Sequence, residues 1–201
     1  GFVGLGLSML IRMELGSGGQ WLGDEYLYNL IVTSHGIMML FFLVMPLFMG
    51  GFGNWLLPVV LGLDDMSLPR LNNVSFLMVP LALVLFSVSM VVKGGAGGWT
   101  MYPPLILGDY SPSFSVDMMI LSLHVAGLSS LLGSINIVVT AVMGGKLVGS
   151  VERLPLIVWA LMITAVLVLL TIPVLAAALT MLLMDRNFSA SFFDPVGGGS
   201  P

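Results

Sequence analysis

The 201-residue sequence contains no cysteine and few ionisable side chains. Without cysteine the chain has no disulfide bonds, thiolate metal sites or thiol nucleophile. Asp, Glu, Lys and Arg together make up 8% of the residues, against about 25% in an ordinary soluble domain. Such a sequence cannot build a charged, water-facing surface. The six Lys and Arg residues and the net charge of −4 also exclude a phosphate-neutralising surface for nucleic acid.

Long runs without a charged residue occupy most of the chain. Four such runs, of 38, 22, 28 and 31 residues, cover 26–63, 71–92, 118–145 and 154–184. Because about 18 apolar residues already suffice for a membrane-spanning helix, each run predicts one. We therefore expect an all-α, polytopic bundle of helices in a lipid bilayer. A single bundle with helices at about 1–14, 26–62, 70–92, 114–143 and 155–184 fits the pattern.

The second run is too long for one straight crossing. A helix of about 35 residues extends for about 50 Å, whereas the hydrocarbon core is about 30 Å thick. Pro46, Pro58 and the glycines in 50–53 are the residues at which we expect it to depart from a straight α-helix.

Two histidines lie inside the apolar runs. An ionisable ring in a membrane span is costly and usually functional, and neutral imidazole is a common haem and metal ligand. His35 is therefore a candidate ligand, with a structural histidine bonded to a neighbouring helix as the alternative. Gly36 would let a flat group or another helix come close. His124, between Ser122 and Ser129, is expected to form local hydrogen bonds rather than to bind a metal.

Polar side chains recur every seven residues in the fourth predicted helix. Ser115, Ser122, Ser129 and Asn136 share one helix face, and Ser130 lies beside it. Either the row binds ordered water, or it is small-residue packing with each hydroxyl bonded back to its own helix.

Two further polar features lie around the end of the second run. The charges of Asp64, Asp65 and Arg70 occupy a short connection and are expected to be solvated. Asn54 stands within an apolar run and needs hydrogen-bond partners there.

Several segments carry a resemblance to a known family. They include LYNLIVTSHGIMMLFFLVMP (27–46), GGWTMYPPL (97–105) and SLHVAGLSSLLGSINIVVT (122–140), together with 10–16, 50–58, 65–76, 173–188 and 192–199. In these segments the sequence resembles subunit I of the cytochrome c oxidases, the haem–copper oxidases of mitochondria. The resemblance implies a subunit of about twelve helices, of which this chain holds the end of helix I and helices II to V. We accordingly expect an internal piece of a larger membrane protein.

The resemblance also implies cofactor contacts. His35 matches one axial ligand of the low-spin haem a, and Arg12 matches the residue bonded to the formyl group of that haem. Tyr28 and Trp99 match residues near the haem propionates. Glu14 and Gly19 match ligands of a small cation, calcium or sodium.

A proton-uptake path is implied as well. Asp65 matches the carboxylate at its mouth, and Asn54 and Asn72 match asparagines just inside it. Ser129 and Ser130 match hydroxyls further along, whereas His124 matches a histidine that binds no metal. The chain departs from the family pattern at Asp64, where Pro is common, at Glu25, where Asp is usual, and at Gly36, where Ala is usual.

The reaction implied by the resemblance is reduction of oxygen to water with electrons from cytochrome c, coupled to proton pumping. The implied setting is the mitochondrial inner membrane, with other oxidase subunits as partners and no nucleic acid. The oxygen-reducing centre needs a high-spin haem and a copper held by three histidines, but this chain has two histidines in total. Those ligands, and the second ligand of haem a, are expected outside the chain, which alone would be inactive.

Two alternatives remain open at this point. A quinol-oxidising relative would share His35. A non-enzymatic transporter or channel would use Asp65, Asn54 and the serine row as its path. The absorption bands of haem a would separate an enzyme from a transporter.

Overall fold

The computed structural model describes residues 1–16, 18–92, 97–147 and 149–201. In these ranges every regular element is helical and none is a strand, which confirms the all-α fold class. The elements are α1 (Phe2–Leu15), α2 (Glu25–Ile37), two π-helical segments (Met38–Val44 and Pro46–Gly53), α3 (Asn54–Leu61), α4 (Pro69–Val91), α5 (Phe114–Leu147), a short 3-10 helix (Val151–Arg153) and α6 (Leu156–Asn187).

Local chemistry sets the ends of the long second stretch. Asp24 caps the start of α2, where its Oδ1 accepts hydrogen bonds from the backbone N–H groups of Tyr26 and Leu27 at 3.0 and 3.2 Å. Gly62 ends α3 with φ of +69°, a left-handed conformation that glycine adopts without strain.

Between these ends the helix changes its hydrogen-bonding pattern. The two π-helical segments lie on either side of Met45. The second includes Pro46, which has no N–H to donate, and the glycines at 50, 51 and 53, and these residues weaken the regular α-helical ladder. The first, Met38–Val44, contains neither proline nor glycine, so the departure from a straight α-helix begins earlier than the sequence predicted. Pro58, also expected to mark a departure, lies within the regular α-helix α3.

α5 continues past the predicted end at 143. Gly144 lies within the helix and packs against Leu61, since a methyl group on its α-carbon would lie 2.6 Å from Leu61 Cδ1. The sequence suggested a connection at this glycine. In the structure the missing side chain instead permits a close approach of two helical segments.

Four helical stretches are long and apolar enough to cross a membrane. They are Glu25–Leu61, Pro69–Val91, Phe114–Gly145 and Leu156–Asn187, and they contain the four charge-free runs almost entirely. This pattern is that of a multi-pass membrane protein.

The described residues form two compact units. The first unit comprises Gly1–Leu43, Ala82–Leu123 and Ala177–Pro201, and the second comprises Val44–Leu81 and His124–Ala176. The core of the first contains Ile37, Phe86 and Met119, all without exposed surface. The core of the second contains Leu57, Ile137 and Val158.

Candidate functional site

His35 lies near the end of α2, in the first unit, and its ring is fixed by a hydrogen bond. Its Nδ1 is 2.9 Å from the carbonyl oxygen of Gly4 in α1. A carbonyl can only accept, so the bond requires the proton on Nδ1 and leaves the lone pair on Nε2. Gly4 is buried, and a methyl group on it would lie 2.6 Å from Met39 Sδ, so glycine permits the close approach.

The same turn contains a buried hydroxyl without a partner. Ser34 has no exposed surface, and its Oγ forms no hydrogen bond to any described residue. A histidine whose second nitrogen is held by a carbonyl is the usual arrangement of a metal-ligating imidazole. The Nε2 atom that this bond leaves available fits an axial haem ligand.

Gly36 contacts an aromatic side chain. A methyl group on its α-carbon would lie 3.1 Å from Trp99 Cδ1 and 3.2 Å from Trp99 Cβ and Cγ. The glycine therefore accommodates the indole side chain of Trp99, rather than the flat ligand or the helix that the sequence suggested.

The other residues matched to the haem are more open. Arg12 is exposed near the end of α1, and among the described residues its guanidinium has no ion-pair or hydrogen-bond partner. Tyr28 is half-buried in the second turn of α2. The polar atoms of the Arg12 and Tyr28 side chains are therefore accessible to a ligand.

Glu14 borders a cavity of about 360 Å³. Its Oε2 accepts hydrogen bonds from the N–H groups of Trp21 and Leu22 at 3.1 and 2.8 Å. Other polar side chains in the lining are those of Gln20, Asp24, Glu25, Tyr28 and Asn29, whereas Gly19 is not among the described residues that line it. The cavity is rich in carboxylates, but no group of three or more described Asp, Glu, His or Cys residues converges as a metal site.

In the second unit, three of the four residues assigned to the interior of the proton path are linked by one side-chain bond and by two bonds that pass through Ser75 and main-chain carbonyls. Asn54 Nδ2 donates to Asn72 Oδ1 at 2.8 Å, which gives the lone asparagine its partner. Ser75 Oγ donates to the carbonyl of Asn72 at 2.7 Å, and Ser129 Oγ donates to the carbonyl of Ser75 at 2.6 Å. Ser130, the fourth, instead bonds back to Ala126 of its own helix at 3.0 Å.

Asp65 lies outside this chain of bonds. Both Asp64 and Asp65 are exposed, as expected for a solvated connection. Asp65 Oδ1 accepts a hydrogen bond from the N–H of Met66 at 2.7 Å, the residue that follows it.

The row of polar residues on α5 pairs with backbone groups of α4 and of Leu68, the residue before α4, and we call this set of pairs the ladder. Each step of seven residues up α5 matches a step of seven down α4, and two pairs belong to each unit. The hydroxyls of Ser115, Ser122 and Ser129 donate to the carbonyls of Ser89, Ala82 and Ser75 at 2.7, 2.7 and 2.6 Å, and Asn136 Oδ1 accepts from the N–H of Leu68 at 3.0 Å.

The ladder corrects one of the two interpretations of that row. In the packing interpretation each hydroxyl bonds back to its own helix, whereas the three hydroxyls bond to the neighbouring helix. A role of the row in binding water stays a prediction. Ser122 and Ser129 are thereby engaged with α4, so the local bonds expected between them and His124 do not use their hydroxyl protons.

Asn136 contributes more than the sequence indicated. It has no exposed surface, its Oδ1 also lies 3.4 Å from Thr140 Oγ1, and its Nδ2 has no partner among the residues that the structure describes. A buried amide with unused N–H groups is a candidate contact for a proton-carrying water.

A buried ion pair in the first unit had no counterpart in the sequence-based predictions. Arg186 Nε lies 2.7 Å from Asp117 Oδ1, with the two side chains 3% and 10% exposed. The guanidinium also donates to the carbonyls of Ile106, Ser111 and Ser113 at 2.5, 2.8 and 2.8 Å. It thereby holds the segment before α5 against the end of α6.

The whole chain, residues 1–201, matches the family model described as "Cytochrome C and Quinol oxidase polypeptide I". The chain belongs to this family. Cytochrome c oxidase subunit 1 of Pecten maximus is 54% identical over 203 residues, and that of Eremothecium gossypii is 48% identical over 204 residues. Both alignments cover 100% of this chain, but the chain spans only 43% and 38% of the length of these relatives.

Family membership gives the geometry a context. Oxidases of the polypeptide I family use haem and copper. His35 has the arrangement expected of a haem ligand. Among the described residues nothing fits copper, because no cluster of three histidines is present and the chain holds two histidines in total.

Proposed function

We propose that this chain is part of the catalytic subunit of a cytochrome c oxidase, which reduces oxygen to water with electrons from cytochrome c and pumps protons. The observation that carries the proposal is the hydrogen bond from His35 Nδ1 to the Gly4 carbonyl, in a chain that belongs to the polypeptide I family. The bond leaves Nε2 available as one axial ligand of a low-spin haem a. The names of the two relatives support cytochrome c as the donor.

The residues of the first unit hold and orient the cofactor. Nε2 of His35 would bind the iron, and the Gly4 carbonyl fixes the plane of the imidazole. The exposed guanidinium of Arg12 would bond to the formyl group, and Tyr28 and Trp99 would contact the propionates. When bound, haem a supplies reversible one-electron chemistry at its iron.

Glu14 and Gly19 hold a small cation, calcium or sodium. The Glu14 Oε2 atom accepts from the backbone of Trp21 and Leu22, and these bonds hold the carboxylate at the edge of the cavity. Carboxylate and carbonyl oxygens are the ligands that such hard cations prefer.

The second unit takes up protons. A proton that enters an apolar membrane interior needs polar groups and water to carry it. Asp65 binds the proton at its exposed carboxylate. Asn54 and Asn72 then position water inside the entrance, and Ser129 and Ser130 line the path beyond it.

The high-spin haem, the copper and their ligands belong to the remainder of the subunit. In this proposal the complete enzyme acts in the mitochondrial inner membrane, together with the other oxidase subunits. The 201 residues alone, with one axial ligand, are inactive.

Replacement of His35 tests the proposal. In the full-length subunit of the assembled complex, His35→Ala removes the nitrogen proposed to ligate haem a. We expect loss of the low-spin haem absorption band, while subunit assembly is followed by native electrophoresis. His124→Gln is the matched control, because this histidine is assigned no metal, and it should keep the band. A normal six-coordinate haem a spectrum in assembled His35→Ala protein would refute the assignment.

A separate measurement addresses the electron donor. The full-length complex should oxidise reduced cytochrome c rapidly and a quinol slowly. The reverse preference would identify a quinol oxidase within the same family.

A further inference from the structure

The segment 97–101 is attached to the turn of α2 that carries His35. The N–H of Gly98 donates to Thr33 Oγ1 at 3.0 Å, and this hydroxyl in turn donates to the carbonyl of Asn29 at 2.8 Å. Thr33 has no exposed surface. Its buried hydroxyl therefore uses both its donor and an acceptor position, and it links the segment to the backbone of α2.

A second contact lies one residue beyond His35. Trp99 packs on the bare α-carbon of Gly36, where an added methyl group would lie 3.1 to 3.2 Å from three of its side-chain atoms. At these distances any side chain at position 36 would displace the indole ring by a few tenths of an ångström. Trp99 itself is 48% exposed, so few contacts on its other side would hold it.

The backbone around Trp99 is shaped to make these contacts. Gly98 has φ of +100°, a conformation that side-chain-bearing residues rarely adopt. Met101 is 3% exposed and belongs to the core of the first unit together with Leu30 and Ile37 of α2. Trp99 is thus a half-exposed residue between Gly98 and Met101, and contacts with the first unit fix both of these residues.

We propose that Thr33 and Gly36 are positioning residues, which dock the 97–101 segment onto α2 and thereby set the place of the Trp99 indole beside the haem bound by His35. The proposal rests on the proposed function of His35 and Trp99. The indole N–H can only donate, so beside a propionate it offsets part of the negative charge near the iron. Displacement of the ring weakens that effect and stabilises the ferric state.

The first test adds one methyl group. In the full-length subunit of the assembled complex, Gly36→Ala should lower the reduction potential of the low-spin haem and shift its absorption maximum. Gly6→Ala in α1 is the matched control, because a methyl group at that helical glycine has nothing within 4 Å. It should leave both quantities at the wild-type values.

A double variant shows whether Gly36 acts through the indole. Trp99→Leu alone should lower the potential further than Gly36→Ala. In the Trp99→Leu background, Gly36→Ala should cause no additional shift, because the ring that the methyl group displaces is gone. An additional shift equal to that in the wild-type background would overturn the proposal.

Thr33 provides an independent test of the docking. Thr33→Val keeps the shape but removes the acceptor for the Gly98 N–H, and should move the potential in the same direction as Gly36→Ala. Thr33→Ser keeps the hydroxyl and should restore the wild-type potential.

The outcomes separate this inference from the function on which it rests. A wild-type complex without a low-spin haem band would overturn both. A wild-type complex with that band, whose potential is unchanged by both Gly36→Ala and Thr33→Val, would overturn the positioning role alone.

Discussion

The two units differ in the charge of their buried polar side chains. In the first unit a charged pair, Asp117 and Arg186, is buried at the junction of α5, α6 and the segment before α5, and Arg186 binds three further carbonyls. The buried polar residues described in the second unit are all neutral, and Ser75, Ser129, Asn136 and Thr140 bond through hydroxyls or an amide.

The two arrangements differ in the free energy that is lost when a buried group loses its partner. A buried charge that loses its partner is strongly destabilising, so an ion pair keeps its neighbours in one geometry. A neutral amide or hydroxyl can exchange one partner for another at a lower cost. Fixed geometry suits the positioning of a cofactor, and exchangeable bonds suit the passage of protons.

The largest expected effect is removal of the charge at Arg186. Arg186→Met leaves the Asp117 carboxylate buried without its partner and should lower the stability of the complex by about 3–5 kcal/mol. The measurement is the thermal denaturation of the assembled complex. Arg153→Met, which removes an exposed arginine, is the control. Equal losses of stability in the two variants would contradict the special contribution of the buried charged pair in the first unit.

The corresponding change in the second unit is Asn136→Leu, which leaves the N–H of Leu68 without its acceptor. A loss of about 1–3 kcal/mol is expected, smaller than for Arg186 because no charge becomes unpaired. The same denaturation measurement applies, with Asn73→Leu, an exposed asparagine of α4, as the control. A loss larger than that of Arg186→Met would reverse the order proposed for the two units.

Asp65→Asn addresses function rather than stability. Asn keeps the shape and loses the charge, so we expect proton uptake to slow roughly tenfold, or about 1.4 kcal/mol in the activation barrier. The haem spectrum should be unchanged. Asp64→Asn should have a smaller effect, because Asp64 matches no proton carrier.

Proton uptake and oxygen consumption in reconstituted vesicles provide the measurement for both aspartates. Equal slowing by the two substitutions would indicate a general surface-charge effect. Normal uptake in Asp65→Asn would place the entrance of the path elsewhere.

The smallest expected effect concerns the ladder, which both units share. Ser122→Ala in the first unit and Ser129→Ala in the second each remove one bond between helices and should cost about 0.6 kcal/mol. Ser87→Ala is the control, because its exposed hydroxyl bonds to Leu83 of its own helix. Clearly different costs at Ser122 and Ser129 would show that the two units differ even in their neutral contacts.

The sequence predicted the features that depend on composition and on single residues. Runs without charge predicted the four membrane-spanning helices, because length and polarity decide whether a segment can cross a bilayer. His35 and Asn54 were identifiable because a polar group in an apolar run requires a partner. The assignment of roles to these residues in the haem site and the proton path stays a prediction.

The sequence did not predict features that depend on which residue of another segment lies opposite a given side chain. A spacing of seven residues places Ser115, Ser122 and Ser129 on one helix face, but it does not say which carbonyl lies opposite. Arg186 and Asp117 are 69 residues apart in sequence, and both stand near helix ends where charges are usually solvated. Gly36 signalled a close approach, but only the fold identifies Trp99 as the residue that makes it.

The ladder predicts which positions of α4 and α5 can be substituted without loss of the hydrogen bonds between the two helices. Its acceptors on α4 are main-chain carbonyls, which any helical residue supplies, and Ala82 already does so without a hydroxyl. Its donors on α5 are side chains, so Ser115, Ser122 and Ser129 cannot be replaced by an alkyl group without loss of the bond. In a saturation library, positions 75, 82 and 89 should therefore tolerate any small residue, whereas positions 115, 122 and 129 should not. In these three pairs the bond therefore depends on the side chain in α5 and not on the identity of the residue in α4.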